Sequence, residues 1–261
     1  MTDQLKLNEG LARAYREALQ HEGYLVAVKM LEKSEIEAVG EVRRPRPRNT
    51  FCQLIAQTHY LGRRLLVGSD DQICYAFPFL FGMGELPKEA WKRYVGWQVR
   101  TEEAGRKAFE ALSRLPMGMY DAIFLSPLER CPVAPDVVIF FGNASQMQCI
   151  VASYIAGRGG MLTAEFNGFG SCAGLIVIPM QKERPNIVIP GNPLRLLCLP
   201  DKELGCGIPG NMLEELIENM QFLKAGGGSS YPPTWQIIQW GLQPPIGDLL
   251  KPDGFPSWLR R

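Results

Sequence analysis

The chain has 261 residues, 46% of them hydrophobic and 21% charged, with 28 basic against 27 acidic side chains. That balance excludes a disordered, collagen-like or coiled-coil protein, and a net charge of +1 gives no global pull toward nucleic acid or acidic membranes. No basic segment followed by an apolar one opens the chain, and no apolar run approaches the roughly 20 residues of a spanning helix, so a cytoplasmic protein is expected.

In chain order, residues 5–21 place Leu7, Leu11, Tyr15 and Leu19 on one face of a predicted helix that stops near Gly23. Tyr24 to Leu31 reads as a strand with one interior charge, Lys29. The charged stretch that follows ends in Arg43-Arg44-Pro45-Arg46-Pro47-Arg48; its prolines fix φ and remove donors, so it reads as a loop. Phe51 to Tyr60 is a predicted helix closed by Gly62, Arg64 to Val67 a strand, and Gly68 to Asp71 a turn leading to Cys74. Tyr94 to Val99 reads as a strand. Thr101 caps a helix through Leu115 whose inward face holds Ala104, Ala108, Ala111, Leu112 and Leu115.

The second half repeats the order. Val137 to Phe141 is a predicted strand, Gln146 to Ile155 a helix closed by Gly157, and Met161 to Phe166 a strand. Cys172 follows a Gly-rich turn, Leu194 to Leu199 is a strand, and Pro209 opens a helix over 212–223 with Leu213, Leu216, Ile217 and Met220 inward. The fold class expected is α/β: a mixed sheet with helices in one domain over 1–226, built of pseudo-repeated halves at about 20–115 and 120–223. In that scheme Cys74 and Cys172 occupy equivalent turns and a pocket lies between the halves. Residues 227–261 form a glycine-rich linker and an aromatic extension with Trp235, Trp240 and Trp258. Such an arm needs a groove to bury it, and a partner subunit in a homo-oligomer is the expected host.

The seven cysteines are odd in number and carry no Cys-x-x-Cys, and the only histidines are His21 and His59. A disulfide scaffold and a zinc knot are therefore not expected. Gly157-Arg158-Gly159-Gly160 and Gly168-Phe169-Gly170 lack the strand and helix context of a phosphate-binding loop.

The order of short motifs resembles a known family. Val26-Ala27-Val28-Lys29 is followed by Cys52 opening a helix and Cys74 after an acidic turn. Ser126-Pro127-Leu128-Glu129, Pro135-Asp136-Val137-Val138 and Gly142-Asn143-Ala144-Ser145-Gln146 come next. Cys172, Gly191 with Arg195, and Asp201-Lys202-Glu203-Leu204 before Gly207-Ile208-Pro209 complete the set. Over roughly residues 20–223 this is similar to the bacterial and archaeal domain-of-unknown-function family numbered one hundred and sixty-nine, departing from its pattern at Ala144, where proline is usual. The resemblance singles out Cys52, Cys74 and Cys172 from Cys131, Cys149, Cys198 and Cys206, and it supplies no reaction.

Those three thiols are the candidate reacting groups. A thiolate is a nucleophile and soft metal ligand when a helix N-terminus or cation lowers its pKa; otherwise cysteine behaves as a small buried hydrophobe. Cys52 lies near a predicted helix start, and Lys29, Arg195 and the 43–48 arginines are candidate cations. Lys29 is either a desolvated catalytic amine or an edge lysine reaching water. Arg195, Glu203 and Gln146 are substrate-binding candidates: Arg195 through its planar fork or in a structural pair with Glu203, and Gln146 by orienting a ligand or by capping. His59 is read as structural. The expected function is a small-molecule enzyme with a cysteine-lined pocket between the halves. The alternative is a metal- or iron–sulfur-binding protein without turnover, holding its metal through Cys52, Cys74 and Cys172.

Overall fold

The computed structural model describes residues 2–166, 170–191, 200, 202–226 and 231. Its centre is a six-stranded antiparallel sheet: β1 (Val26–Leu31), β2 (Leu65–Val67), β3 (Ala122–Pro127), β4 (Val137–Gly142), β5 (Asn186–Val188) and β6 (Leu204–Pro209). The strand order is β2-β3-β1-β4-β6-β5. Period-two alternation along the strands sends apolar side chains to both faces, and each face is covered by helices. Val26 and Val28 of β1 and Val137 and Ile139 of β4 enter one core. Ala27, Leu31, Val138 and Phe140 enter the other.

The first core is roofed by α2 (Phe51–Leu61), α3 (Phe77–Leu80), α4 (Glu102–Glu110) and a π-helical turn (Ala173–Val177) running into α6 (Ile178–Lys182). The second is roofed by α1 (Asp3–Leu19), α5 (Ala144–Arg158) and α7 (Leu213–Ala225). The α/β class is as expected. On α7 the inward residues Leu213, Leu216, Ile217 and Met220 are all buried, as their spacing predicts.

Strand pairing matches across the central β1–β4 pair. β1 and β3 pair from Val26↔Pro127 to Leu31↔Ala122, and β4 and β6 from Val137↔Pro209 to Gly142↔Leu204. The edge strands bond the same positions of their partners: Leu65↔Leu125 and Val67↔Ile123 on one side, Asn186↔Gly207 and Val188↔Gly205 on the other. The β1–β4 ladder is centred on Ala27↔Val138, with Val26↔Ile139 and Val28↔Val137 flanking it. On the first face α2 and the π-turn with α6 correspond too. Each ends at a left-handed residue, Gly62 or Glu183, three positions before its edge strand. The interval from Cys172 to β5 is one residue longer than that from Cys52 to β2, as a π-turn requires. In this correspondence Cys172 matches Cys52; Cys74, which follows β2, does not match it as expected.

Several expected elements are corrected. Tyr94 to Val99 is not a strand. The Tyr94 carbonyl accepts from the amides of Trp97, Gln98 and Val99, and Gly96 takes a positive φ, so the segment turns on itself. Met161 to Phe166 has no strand partner and is irregular. The helix from Thr101 ends at Glu110 and buries Gly105 and Phe109, leaving Ala104 exposed. Helix α1 buries Asn8 while Leu7 remains 42% exposed, because the Asn8 amide donates 2.9 Å bonds to both the Cys131 and Val133 carbonyls. Helix α5 runs past Gly157 to a cap at Gly159. Strands β3, β5 and β6 and the helical turn after Cys172 are additions. The expected strand Leu194 to Leu199, the linker and the three extension tryptophans lie outside the described residues; of the extension, Tyr231 accepts a 3.2 Å bond from the Asn143 amide. Among the described residues no helix is long and apolar enough to cross a membrane.

Candidate functional site

Cys52 is the second residue of α2. The helix starts there because Thr50 and Gln53 form a reciprocal cap: the Gln53 amide donates to Thr50 Oγ1 at 3.3 Å and the Thr50 amide to Gln53 Oε1 at 3.0 Å. This places a half-buried thiol beside amides that no helical carbonyl takes up. Cys74 is reached by a short tie between two loops, in which Ile73 donates to the Asn49 carbonyl at 3.0 Å and the Cys74 amide donates to Gln72 Oε1. The Cys74 carbonyl then accepts from Phe77 as the chain turns into α3. Cys172 precedes the π-turn and is 6% exposed; beside it Ser171 Oγ accepts the Gly191 amide at 2.8 Å.

All three thiols pack against the first core. Burial raises the pKa of Cys74, opposed by hydrogen bonds from the backbone of Ala76 and Phe77. Burial pushes the Cys172 thiol well above its ordinary value, and the neighbouring Cys52 and Cys74 thiols raise it further by charge repulsion. The influence of Cys52 and Cys74 on Cys172, with all three packed on the same core, marks one neighbourhood drawn from three distant segments. Two tyrosines that the sequence reading missed share it. Tyr94 is raised by burial and by Cys74 and Cys172; Tyr75 is raised by burial, by Tyr94 and by Cys74. Their rings lie 6.1 Å apart, with the Arg93 guanidinium 5.0 Å over Tyr75. Tyr75 directly follows Cys74 in sequence; Tyr94 lay inside the segment misread as a strand. Among the described residues no three His, Cys, Asp or Glu side chains are grouped to hold a metal ion.

The other candidates are dispersed. Lys29 shares the opposite sheet face with Ala27 and Leu31, and its Nζ donates to Asp136 Oδ1 at 2.8 Å while Asp136 Oδ2 accepts the Met30 amide at 2.7 Å. This carboxylate serves two donors, so Asp136→Ala is expected to cost about 2 kcal/mol in urea unfolding, and Lys29→Met about half as much. Equal losses would show that the ion pair, and not the Met30 bond, carries the effect. Gln146 uses its side chain internally: Oε1 accepts the Asn143 amide at 2.8 Å and Nε2 donates to the Leu19 carbonyl at 2.7 Å. Glu203 accepts from Tyr60 Oη at 3.1 Å, and burial holds its carboxyl above the usual range. Arg195 lies outside the described residues.

His59, which the sequence reading left structural, meets His21 with ring centroids 5.5 Å apart. His59 Nδ1 pairs with the Tyr24 carbonyl at 2.8 Å. Each Nε2 is buried with no hydrogen-bond partner among the described residues.

The family model DUF169, described as "Uncharacterised ArCR", matches residues 15–219. The chain belongs to this family. The DUF169 match takes in all six strands and all three thiols, and stops within α7. No curated protein and no solved structure matches the chain.

Proposed function

We propose that this DUF169 chain is a cytoplasmic enzyme acting on a small molecule, with the Cys52 thiol as its reacting group and Cys74 and Cys172 as protonated neighbours. The observation that carries this reading is the convergence of three thiols from α2, the approach to α3 and the π-turn on one face of the sheet. Of the three, Cys52 combines partial exposure with a position in the first turn of a well-capped helix, where the backbone dipole favours an anion. Burial keeps Cys74 and Cys172 protonated near neutral pH, which suits them to donate a hydrogen bond to charge formed at Cys52. Tyr75 and Tyr94 add a phenolic, aromatic wall.

The matched strand registers support an origin of the two halves by duplication, with Cys52 and Cys172 as equivalent helix-start thiols. An alignment of residues 24–67 against 135–188 across the family tests this. Absence of any shared pattern would leave the symmetry a matter of packing alone.

The functional test is alkylation of the native chain with iodoacetamide between pH 7 and pH 9, with labelled peptides mapped over time. Cys52 is expected to label first. Cys74 follows more slowly and gains rate as pH rises, whereas Cys131, Cys172 and Cys206 stay unlabelled until the protein unfolds. Burial raises Cys131 to about 11 and Cys206 to about 12, so both also serve as internal standards for an inert thiol. A Cys52 no faster than these two removes it from the chemistry.

A further inference from the structure

Away from the thiols, one groove at the β2 edge of the sheet is lined by five arginines: Arg43, Arg44, Arg46, Arg63 and Arg64. Its volume is about 560 Å3, within the range of small-molecule sites. One wall is the Pro/Arg loop and the other is the end of α2 with the start of β2. We propose that this groove binds a small molecule bearing an oligophosphate group, at a site separate from the thiol cluster.

The first reason is uncompensated charge. The buried carboxylate of Asp71 takes Arg44 on one oxygen and Arg46 on the other, at 3.4 Å for the latter, and also accepts the Gly68 amide. Among the described residues neither Arg43 nor Arg63 forms an ion pair, and the Arg63 guanidinium donates to the neutral Gln57 Oε1, at 2.8 Å. Arg64 donates to the Val39 carbonyl at 2.7 Å, lies 5.4 Å over the Phe124 ring and has a buried Nε without a partner among the described residues. Of the five guanidinium groups, only Arg44 and Arg46 meet a carboxylate among the described residues. Like charges gathered in one concavity repel, and a multiply charged anion relieves that repulsion at several of them together.

The second reason is that the backbone carrying the loop arginines is held in place before any ligand arrives. The Arg43 carbonyl accepts the Leu66 amide at 3.2 Å, which pins the loop along the outer edge of β2. Pro45 is buried, and at the far end Asn49 bridges to Gln72. Planar guanidinium forks match the paired oxygens of phosphate, and a backbone fixed beneath them reduces the freedom lost on binding it.

The surroundings favour a compact ligand over a nucleic acid strand. Arg64 touches the end of the 3-10 turn Lys33–Val39, which carries Glu35 and Glu37, and Glu41 lies just beyond. Acidic side chains at this end shorten the positive surface there, whereas a long phosphate backbone favours one that continues along a surface.

Calorimetric titration of the full chain with inorganic tripolyphosphate, ATP, citrate and a 12-nucleotide single-stranded RNA tests the proposal. Tripolyphosphate is expected to bind with an affinity that falls several-fold as salt is raised. In the double variant Arg43→Gln with Arg63→Gln, binding should weaken by at least ~10-fold, the equivalent of one lost charge-assisted bond. These two are exposed and outside the Asp71 pairing, so the fold should survive, and Arg106→Gln on α4 should leave affinity unchanged. ATP binding more tightly than tripolyphosphate identifies a nucleotide source, and equal affinity identifies the oligophosphate itself; both support the site. No binding at millimolar concentration, undiminished binding by the double variant, or citrate as tight as tripolyphosphate overturns it. Tighter binding of the RNA overturns it in favour of a nucleic acid partner. Each outcome is read independently of Cys52 labelling.

Discussion

Gly207→Ala is expected to lower unfolding stability by about 3 kcal/mol, at the upper end of what an overpacked core position costs. Gly207 lies in β6 directly beneath the π-turn. A Cβ added there would sit 2.7 Å from the Leu175 carbonyl carbon, closer still to its oxygen, and 2.8 Å from Pro179 Cγ. Two of these atoms are backbone and the third is a proline ring, so nothing can rotate aside. Two residues along the strand and on the same face, Gly205 meets Leu175 Cδ2 at 2.8 Å, which is the end of a movable side chain. Gly205→Ala should therefore cost clearly less, of the order of 1 kcal/mol. Urea denaturation of both variants checks the pair. Equal losses would mean that the turn shifts as a body off β6 and that its close seating is not specified by Gly207. Because Cys172 opens that turn, Gly207→Ala should also make Cys172 accessible to alkylation below the global unfolding transition.

Acid should destabilise the protein well before its carboxylates are titrated. Burial, then the charge of His59 and of Arg16, lowers His21 from 6.5 to about 3 in the folded chain, against the Tyr24 backbone bond. Burial lowers His59 too. The unfolded chain therefore binds protons below about pH 6.5 that the native state refuses. The contribution of these neutral imidazoles is complete above pH 6.5 and is lost as pH falls toward the folded value, at about 1.4 kcal/mol per pH unit for His21. For His21 alone that is about 3 kcal/mol by pH 4.5. Glu203, whose folded pKa is raised, works in the opposite sense and offsets part of the loss. Urea midpoints from pH 7 to pH 4.5 measure the slope. His21→Gln removes one titrating group, and its stability should fall less steeply over that window even if it starts lower, since its contact with Phe140 at 4.7 Å is gone. Parallel slopes for variant and parent would remove His21 from the acid response.

The sequence by itself determined the elements whose signals are local. The Thr50 and Gln53 cap with Gly62 as stop defines α2, Thr101 begins α4, and the apolar spacing of Leu213, Leu216, Ile217 and Met220 defines α7. Apolar runs marked β1, broken only by Lys29, and β4, and the order of motifs identified the family and singled out the three thiols. Elements whose stability comes from neighbours were not legible. Strand β6, Leu-Gly-Cys-Gly-Ile-Pro, has two glycines that weaken any strand signal, and it exists because β4 pairs with it and the π-turn needs those positions empty. Strand β5 has three residues and is read only from its pairing with β6. Long-range packing likewise decided which candidate residues meet. Lys29 alternates to the far face of the sheet, and Gln146 turns inward to cap α5 and hold the end of α1. Cys52, rather than Cys74, matches Cys172, since correspondence follows hydrogen-bond register and no linear offset reports it across loops of unequal length. The contact of His21 with His59 and the arginines' gathering around one groove were decided by the same tertiary pairing of segments, which no periodicity encodes.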